Sequence, residues 1–336
     1  MENLKKIVKN FKSIRVLVVG DFVVDKYVYA TTSRVSREAP ILVLEEDFVE
    51  YKLGGGGNTV RNFKDLGAQI DTLSVVGEDE EGERIKSLLV DSGISDSMIL
   101  KTKKFKTPLK TRVLAGETNT RKQQVFRIDR GKRIENLPKK FFEILDSIYR
   151  NYDVIVFSDY GYGISSYKTL NKLKKDKSNL PPIFVDSRFE LSKFRSITSA
   201  TPNITEAYES ANLKIKNNNL QKVGRKLLRI TQAEAILITL GSEGMYLMEK
   251  NSNEYKIPIF GDKNIVDVTG AGDTVISVFA SSWIISKSFF KSAILSNVAG
   301  ALTVMKAGAS TITPEELING INKYKDKISE LFKRYS

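Results

Sequence analysis

The chain has 336 residues, an apolar fraction of 41% and a formal net charge of +13, and it contains neither cysteine nor histidine. This length and apolar content fit a globular protein with one large core. The missing residue types exclude disulfides, thiolate nucleophiles, Cys/His metal sites and histidine acid–base chemistry, so any catalysis must use carboxylates, lysines, hydroxyls, backbone amides or a hard cation held by oxygen atoms.

The distribution of charge and hydropathy bears on partners and location. The excess lysines are scattered along the chain, which argues against a nucleic-acid site. A general compositional bias would give the same pattern, and so would a surface suited to acidic or phosphorylated small substrates. The sequence has no long uncharged apolar run, and no signal core follows its basic N-terminus. We therefore expect a cytoplasmic protein that binds neither nucleic acid nor membrane.

Short β-branched segments recur along the chain and predict buried strands. They are continuously apolar rather than alternating, which is typical of strands covered on both faces. Amphipathic helical patterns lie between several of them, and this alternation predicts an α/β fold whose central, mostly parallel sheet is flanked by helices on both faces. The clearest strand segments are 15–21, 72–77, 153–159, 183–187 and 235–241, and the clearest helical ones are 80–93 and 220–231.

Two segments depart from this alternation of strands and helices. Residues 26–53 and 106–130 read as extended, partly alternating strands, the second with turn residues at 116–119. Such patterns are typical of antiparallel hairpins. We expect the two segments to meet as one small sheet that forms a lid over a cleft, within a single domain spanning residues 1–336.

Successive glycines open the segment "LGGGGNTVRNFKDLGA" (53–68). Glycine allows close approach of the backbone to a ligand, and Asn58 can both donate and accept hydrogen bonds. The segment therefore favours a binding role, although a flexible turn would use the same residues. Its spacing matches neither a Walker loop nor a Rossmann fingerprint.

Polar residues follow three later strands. Asp159 lies at the carboxyl edge of the sheet, where open α/β folds bind ligands, but it could also be a turn residue. Asn203 and Glu206 stand three residues apart and could orient water on a phosphate-bound Mg²⁺, or they could simply cap a helix. The segment "TLGSEGMYL" (239–247) could present amides to a nucleotide or form a hairpin turn.

The segment "DVTGAGDT" (267–274) stands before an apolar helical pattern. Gly270 and Gly272 allow a tight turn that exposes backbone N–H groups at the helix N-terminus, which favours anion binding. Asp273 in the first turn could accept a proton from a hydroxyl while these amides hold phosphate charge, or it could only cap the helix.

The order of these motifs resembles the ribokinase-like (PfkB) carbohydrate kinases, over about residues 14 to 325. The most diagnostic part is "DVTGAGDT" followed by "SNVAGALTVMKAGAST" (296–311). The resemblance implies a ribokinase-like fold with a small β-sheet lid that often builds a homodimer interface. It also implies phosphoryl transfer from ATP, with Mg²⁺, to a sugar hydroxyl.

The resemblance also implies roles for individual residues. Asp273 would be the general base, and Asn297 would lie near the nucleotide base. Asp267 and Ser310 match a monovalent-cation site, which makes potassium a candidate activator. The anion hole would be formed by Gly270, Ala271 and Gly272. Mg-ATP would be organised by Asn203 and Glu206, with Glu206 contacting Mg²⁺ through water. The nucleotide cleft would be lined by Thr239, Gly241 and Gly244, and the sugar hydroxyls would be held by Asp25, Gly55, Asn58 and Asp159.

Within the family, three segments look most like the kinases that act on D-glycero-D-manno-heptose 7-phosphate. They are "VVGDFVVDKYVYATTSRVSREAPILVL", "GGGGNTVRNFKDLGA" and "QQVFRIDR". This implies phosphorylation at C1 to the 1,7-bisphosphate, a precursor of ADP-heptose for lipopolysaccharide. In many bacteria that kinase is half of a bifunctional protein whose other half is a histidine-dependent nucleotidyltransferase. Because this chain has no histidine, we expect a separate protein to catalyse the later step.

Two positions depart from the heptose-kinase pattern. Tyr162 and Arg188 stand where those kinases commonly have lysines. Arg34, Arg112 and Arg127 in the expected lid are candidates for binding a substrate phosphate, although exposed arginines that form salt bridges would look the same. A kinase for another sugar or sugar phosphate, and a non-catalytic basic binding protein on a kinase fold, are therefore the alternatives.

Overall fold

A computed structural model describes residues 1–117, 120, 122–175, 177, 179–215, 219–261, 266–306 and 308–335. Of the expected lid turn at 116–119, residues 118 and 119 lie outside this described part.

Thirteen strands form two sheets in the described part of the chain. They are β1 (Arg15–Gly20), β2 (Phe22–Val35), β3 (Leu42–Gly55), β4 (Gln69–Gly77), β5 (Ile99–Thr102), β6 (Leu109–Gly116), β7 (Gln123–Arg130), β8 (Val154–Asp159), β9 (Ile183–Ser187), β10 (Ser199–Ala200), β11 (Ala235–Thr239), β12 (Met245–Glu249) and β13 (Glu254–Ile257).

The larger sheet has nine strands in the order β13-β12-β11-β10-β9-β8-β1-β4-β5. All pairings from β11 to β5 are parallel, and β12 and β13 add an antiparallel edge. The five strand segments expected from the sequence all lie in this sheet. The expectation of a mostly parallel α/β sheet is therefore confirmed.

Helices cover both faces of this sheet. They are α1 (Glu2–Lys9), α2 (Gly56–Asp65), α3 (Glu80–Asp91), α4 (Lys139–Ile148), α5 (Tyr167–Lys174), α6 (Ile204–Ser210), α7 (Leu220–Thr231), α8 (Ala271–Ser286), α9 (Phe289–Thr303), α10 (Pro314–Lys323) and α11 (Lys325–Tyr335). None of the helices in the described ranges is long and apolar enough to cross a membrane.

The alternation of side chains along each strand produces two hydrophobic cores. On β1, Val16 and Val18 point into a core with side chains from α1, α2, α3 and α8 to α11. Leu17 and Val19 point into the opposite core, which includes side chains from α4 to α7. Each fully buried aliphatic side chain stabilises the fold by roughly 1.5–3 kcal/mol relative to leaving it exposed, so the sheet is held firmly between the two helical layers.

The smaller sheet, called the lid here, consists of β3, β2, β6 and β7 in that order. Each of the two irregular segments forms an antiparallel hairpin, as expected. The two hairpins join through β2 and β6, which run parallel. The sequence pattern did not predict this parallel pairing, because it depends on both hairpins leaving the core in the same direction.

Candidate active site

The candidate site lies where β1 and β8 end and where α2 and α8 begin. Parallel strands present their carboxyl ends at one edge of the sheet, and helix N-termini there offer free amides. Four glycines bridge β3 and α2. An ideal Cβ on Gly56 would lie 2.8 Å from the Cα atom of Gly20, so only glycine lets α2 approach β1 this closely.

A buried carboxylate directly after β1 shapes the loop that follows β8. The Oδ2 atom of Asp21 accepts from the backbone amides of Tyr160 (3.0 Å) and Tyr162 (2.7 Å). Its Oδ1 atom accepts from the amides of Ile164 (2.8 Å) and Ser165 (3.0 Å). Burial raises the pKa of Asp21 and these amides oppose the rise. The loop is thereby wrapped around one side chain, which fixes the position of Tyr160.

Asp273 lies in the first turn of α8 and is almost fully buried. Its Oδ1 atom accepts from the hydroxyls of Thr59 (2.6 Å) and Tyr160 (2.9 Å), and its Oδ2 atom accepts from Asn58 Nδ2 (2.7 Å). Burial raises its pKa, and the three hydrogen bonds lower it. The N-cap of α8 is Gly270 and no side chain caps this end, so the alternative that Asp273 only caps the helix is wrong.

The turn before α8 depends on glycine. Gly270 has φ +79°, and an ideal Cβ there would lie 2.5 Å from Asn58 Nδ2. The first turn of a helix leaves amide groups without intrahelical acceptors, and here that turn consists of Ala271, Gly272 and Asp273. The arrangement can therefore stabilise negative charge beside a buried carboxylate.

Asn58 has a second polar atom in the same place. Its Oδ1 atom is buried and has no hydrogen-bond partner among the described residues. An unpaired buried acceptor costs about 1–3 kcal/mol, which a hydroxyl donor from a bound molecule would offset. Gly55, the N-cap of α2, has φ +58°, and an ideal Cβ there would lie 3.5 Å from the ring of Tyr160. Gly55 and Asn58 therefore both border the space beside Asp273.

Other residues expected at the sugar end are separately paired. Asp25 on β2 accepts from Arg112 Nη1 on β6 at 2.5 Å, and both side chains are largely buried. Asp159 accepts from Ser187 Oγ (2.6 Å) and from the Gly161 amide (2.9 Å). Burial, with the charge of Asp21 adding to it, raises the pKa of Asp159 to about 7.

The arginines expected to bind phosphate lie in different places. Arg127 is on the edge strand β7, exposed, and pairs with Asp129 at 2.7 and 3.0 Å. Arg34 is exposed near the outer end of β2. Arg112 forms a salt bridge with Asp25, but it is largely buried. The alternative of an exposed arginine in a salt bridge is therefore confirmed for Arg127.

A cleft of about 180 Å³ lies on the other side of the α8 N-terminus. It is lined mainly by glycines and apolar side chains, together with Asn297, whose Nδ2 atom donates to the carbonyls of Pro258 (3.0 Å) and Ile257 (3.3 Å). The segment 239–247 is both a hairpin turn and part of the lining. A narrow apolar slot beside free helix amides fits a planar base with an attached phosphate chain. The expected residues that line it are Thr239, Gly241, Gly244, Asn297, Ala271 and Gly272.

Asn203 and Glu206 form a reciprocal capping box on α6. The Glu206 amide donates to Asn203 Oδ1 at 3.0 Å, and the Asn203 amide donates to Glu206 Oε2 at 2.9 Å. The capping alternative is therefore confirmed, and burial raises the pKa of Glu206. Asp186 at the end of β9 is close enough that the charges of Glu206 and Asp273 add to the effect of burial in raising its pKa.

These acids bear on how a metal ion could be held. Within the described ranges no group of three or more acidic side chains is placed to hold a metal ion directly. Glu206 and Asp186 instead suit Mg²⁺ that keeps several of its waters and takes its other ligands from phosphates.

The residues expected at a monovalent-cation site lie on two adjoining loops. Asp267 accepts from the Thr269 amide (2.9 Å) and from the Gly308 amide (3.0 Å). The amide of Ser310 donates to the Gly308 carbonyl at 2.8 Å. Asp267 thus ties the turn before α8 to the loop that carries Ser310.

The structure brings four residues to the site to which the sequence assigned no role. Thr59 and Tyr160 donate to Asp273, Asp21 positions Tyr160, and Asp186 lies beside Glu206. Asp21 and Asp186 each stand directly after or at the end of an apolar strand, and this signal could have identified them. Nothing in the local sequence indicates that Thr59 and Tyr160 meet Asp273.

Comparison with known proteins identifies the family. Residues 13–316 match the model of the pfkB family carbohydrate kinases, and the chain belongs to that family. It is therefore a phosphotransferase with an alcohol group as acceptor. The bifunctional protein HldE of a Nitratiruptor species is 33% identical over 307 residues, which cover 90% of this chain and 64% of that protein. HldE of Campylobacter curvus is 35% identical over 305 residues, covering 89% and 63%. The chain thus spans less than two thirds of these relatives.

Solved structures share the fold. The structure of Arabidopsis thaliana ribokinase complexed with ribose and ATP aligns with a TM-score of 0.69 and 19% identity, covering 92% of this chain and 98% of that one. Phosphofructokinase-2 from Escherichia coli in complex with potassium aligns with a TM-score of 0.72 and 17% identity, covering 93% and 99%. The ribokinase-like fold expected from the sequence is therefore confirmed.

Proposed function

We propose that this pfkB family carbohydrate kinase phosphorylates D-glycero-D-manno-heptose 7-phosphate at C1, giving the 1,7-bisphosphate for ADP-heptose and lipopolysaccharide synthesis. The observation that carries the chemistry is the buried carboxylate of Asp273, held by three donors beside the N-terminus of α8. The sugar is proposed from the similarity to bifunctional HldE proteins over about nine tenths of the chain.

In this proposal Asp273 is the general base. Three donors occupy three of the four lone-pair positions of a carboxylate, which leaves one for the proton of the C1 hydroxyl. The donors also stabilise the ionised form that a base requires. Catalysis by proton abstraction contributes about 10²–10⁴-fold, and the remainder comes from positioning and charge stabilisation.

The nucleotide is proposed to lie in the cleft beside α8. When bound, ATP would supply the phosphoryl group, and Mg²⁺ would offset the negative charge of the phosphates. The first-turn amides at Gly270, Ala271 and Gly272 would stabilise the phosphate charge. Thr239, Gly241, Gly244 and Asn297 would line the nucleotide position, and Asn203 and Glu206 would hold waters of Mg²⁺. Asp267 and Ser310 are proposed to hold potassium at the adjoining loop junction.

The sugar is proposed to lie between the lid and the end of β8. Asn58 Oδ1 is a buried acceptor next to Asp273 without a hydrogen-bond partner among the described residues, which suits a sugar hydroxyl. Asp25, Gly55 and Asp159 border the same space in this proposal. Arg127, on the lid strand β7, would reach the substrate only by leaving Asp129.

We also propose that the chain forms a homodimer through the lid and acts in the cytoplasm as one domain, without nucleic-acid or membrane partners. The support for the dimer is a concentration of exposed apolar side chains on the lid, since large exposed apolar patches commonly mark interfaces. They are Val35, Ile41, Leu42, Phe48, Val125, Phe126 and Ile128.

The test of the substrate is ADP release against a panel of sugars and sugar phosphates that includes the heptose 7-phosphate. We expect the highest kcat/KM with the heptose 7-phosphate, and ³¹P NMR of the product should show a phosphoryl group on the anomeric oxygen. Activity only with another sugar would contradict the substrate and leave the chemistry standing. Binding without ADP release for every sugar would favour a non-catalytic binding protein.

A further inference from the structure

Lys110 is a lid lysine to which the proposed reaction assigns no role. It lies on β6 in register with Asp25 on β2 and with Asp129 on β7, and residues in register across neighbouring strands share one face of the sheet. Its Nζ atom lies 5.4 Å from the centre of the Tyr160 ring. The hydroxyl of that ring donates to Asp273, so the same tyrosine contacts both Lys110 and the proposed base.

The acids nearest to Lys110 on the lid are engaged elsewhere. Asp25 accepts from Arg112, and Asp129 accepts from Arg127. In the described part of the chain, no carboxylate forms an ion pair with Lys110, which is half-buried. Burial lowers the pKa of Lys110, the charges of Asp25 and Asp129 oppose this, and the charges of Arg188 and Arg112 add to it. A half-buried cation that forms no direct ion pair is stabilised further when an anion binds.

Arg188 approaches the same space from the core. It follows β9, and its backbone amide donates to the carbonyl of Asp159 at 3.1 Å. Its guanidinium is exposed near the ring of Phe189 and forms no salt bridge with the acids of the described ranges. Its charge adds to burial in lowering the pKa of Lys110 and opposes the rise that burial causes in the pKa of Tyr160, so the two cations, one from the lid and one from the core, lie near each other beside this tyrosine. The same charge also opposes the rise that burial causes in the pKa of Asp186 and Glu206.

We propose that Lys110 and Arg188 form the subsite that binds a phosphate group already present on the sugar substrate. This deepens the proposed function and rests on it, because Asp273 marks the end of the site where the acceptor hydroxyl lies. A pyranose ring and a tyrosine ring are both six-membered. A sugar lying alongside Tyr160 with its acceptor hydroxyl at Asp273 would therefore carry its opposite end towards Lys110. The ligand class is a sugar phosphomonoester phosphorylated at the end remote from the acceptor.

The test compares binding of phosphorylated and dephosphorylated sugars by calorimetry, using the full chain with a non-hydrolysable ATP analogue. The two pairs are D-glycero-D-manno-heptose 7-phosphate with its dephosphorylated heptose, and D-fructose 6-phosphate with fructose. The variants are Lys110→Met, Lys110→Arg and the matched control Lys26→Met. Lys26 is also half-buried and lies over a tyrosine, with Nζ 5.7 Å from the centre of the Tyr51 ring, but it follows Asp25 directly and so faces the other side of the lid.

We expect the wild-type protein to prefer one phosphorylated sugar over its dephosphorylated form. Because hydrogen bonds to charged groups contribute about 1.5–3 kcal/mol, Lys110→Met should weaken binding of the phosphorylated sugar by about 10- to 100-fold and leave the dephosphorylated sugar unchanged. Lys110→Arg should keep most of the preference, Lys26→Met should keep all of it, and unchanged melting temperatures would show that the variants fold.

Three results would contradict the subsite: no preference in the wild-type protein, an equal loss for both forms in Lys110→Met, or no loss in that variant. The ADP-release assay separates this from the proposed reaction. Phosphate-dependent binding through Lys110 without ADP release from the heptose 7-phosphate would contradict the reaction and keep the subsite. ADP release with an unchanged KM for the heptose 7-phosphate in Lys110→Met would support the reaction and contradict the subsite.

Discussion

The Tyr160 hydroxyl donates a 2.9 Å hydrogen bond to Asp273 across 113 residues of sequence. Tyr160 is itself held by its backbone amide, which donates to the buried carboxylate of Asp21. Asp21 thus positions a residue that positions the proposed base, without contacting Asp273 in the described structure. A carboxylate oriented in this way needs little rearrangement when a hydroxyl binds.

Replacing Tyr160 with phenylalanine should shift the pH dependence of turnover. The variant loses a donor to the carboxylate, so the pKa of Asp273 rises and the base becomes ionised only at higher pH. The acidic limb of the kcat profile should therefore move to higher pH, and turnover on that limb should fall about 10- to 100-fold, since a hydrogen bond to a charged group is worth about 1.5–3 kcal/mol. Tyr162→Phe is the control, and an equal shift in both variants would contradict a specific role for Tyr160.

Replacing Gly270 with alanine should destabilise the protein and lower its activity. The residue has φ +79°, and its Cβ would lie 2.5 Å from Asn58 Nδ2, so both backbone strain and displacement of Asn58 are expected. Strain of this kind costs about 1–3 kcal/mol. Gly272→Ala is the matched control because a Cβ there meets nothing within 4 Å. Urea denaturation should give an unchanged or slightly higher free energy of unfolding for Gly272→Ala, and equal losses in both variants would refute the geometry.

Replacing Phe126 with glutamate should prevent the proposed lid dimer. Phe126 is 49% exposed on the lid and Val90 is 58% exposed on α3, so Val90→Glu adds the same charge at an equally exposed apolar position elsewhere. Sedimentation equilibrium at micromolar concentration should show a dimer for the wild-type protein and for Val90→Glu, and a monomer for Phe126→Glu. A wild-type monomer, or a dimer that survives in Phe126→Glu, would argue against this interface.

Asp159 should make stability depend on pH. Its pKa is raised to about 7 in the folded state, above the value of about 3.9 in an unfolded chain. The folded state then binds the extra proton, so the stability that this group contributes is complete below about pH 4 and is lost as the pH rises to about 7. Relative to the wild-type protein, Asp159→Asn should gain stability over that interval in urea denaturation. If the free energies of unfolding of the two proteins change in parallel with pH, Asp159 is already ionised in the folded state.

The sequence predicts the architecture better than the contacts within the site. Apolar runs such as 183–187 coincide with a strand, Ile183–Ser187, because burial on both faces of the sheet demands such residues. The two lid segments were likewise recognisable from their irregular alternation. Their parallel junction was not, because strand pairing between distant segments leaves no local signal.

The site shows the same limit at the level of side chains. Asp273 could be identified from its motif, yet Thr59 lies 214 residues away from it in the sequence. Asn203 and Glu206 were expected either to cap a helix or to serve a magnesium site, and a capping box has the same spacing as the magnesium motif. The charge of Arg127 and its place in the lid predict phosphate binding, whereas its pairing with Asp129 depends on side-chain orientation along one exposed edge strand.

The most direct test of the proposed chemistry is single-turnover phosphoryl transfer by Asp273→Asn, with the heptose 7-phosphate as acceptor and nucleotide affinity measured on the same sample. Asparagine keeps the size of the side chain but cannot take the proton. We expect unchanged melting temperature and nucleotide affinity, with a transfer rate lowered by about 10²–10⁴-fold. A transfer rate close to that of the wild-type protein would contradict the assignment of Asp273 as the general base.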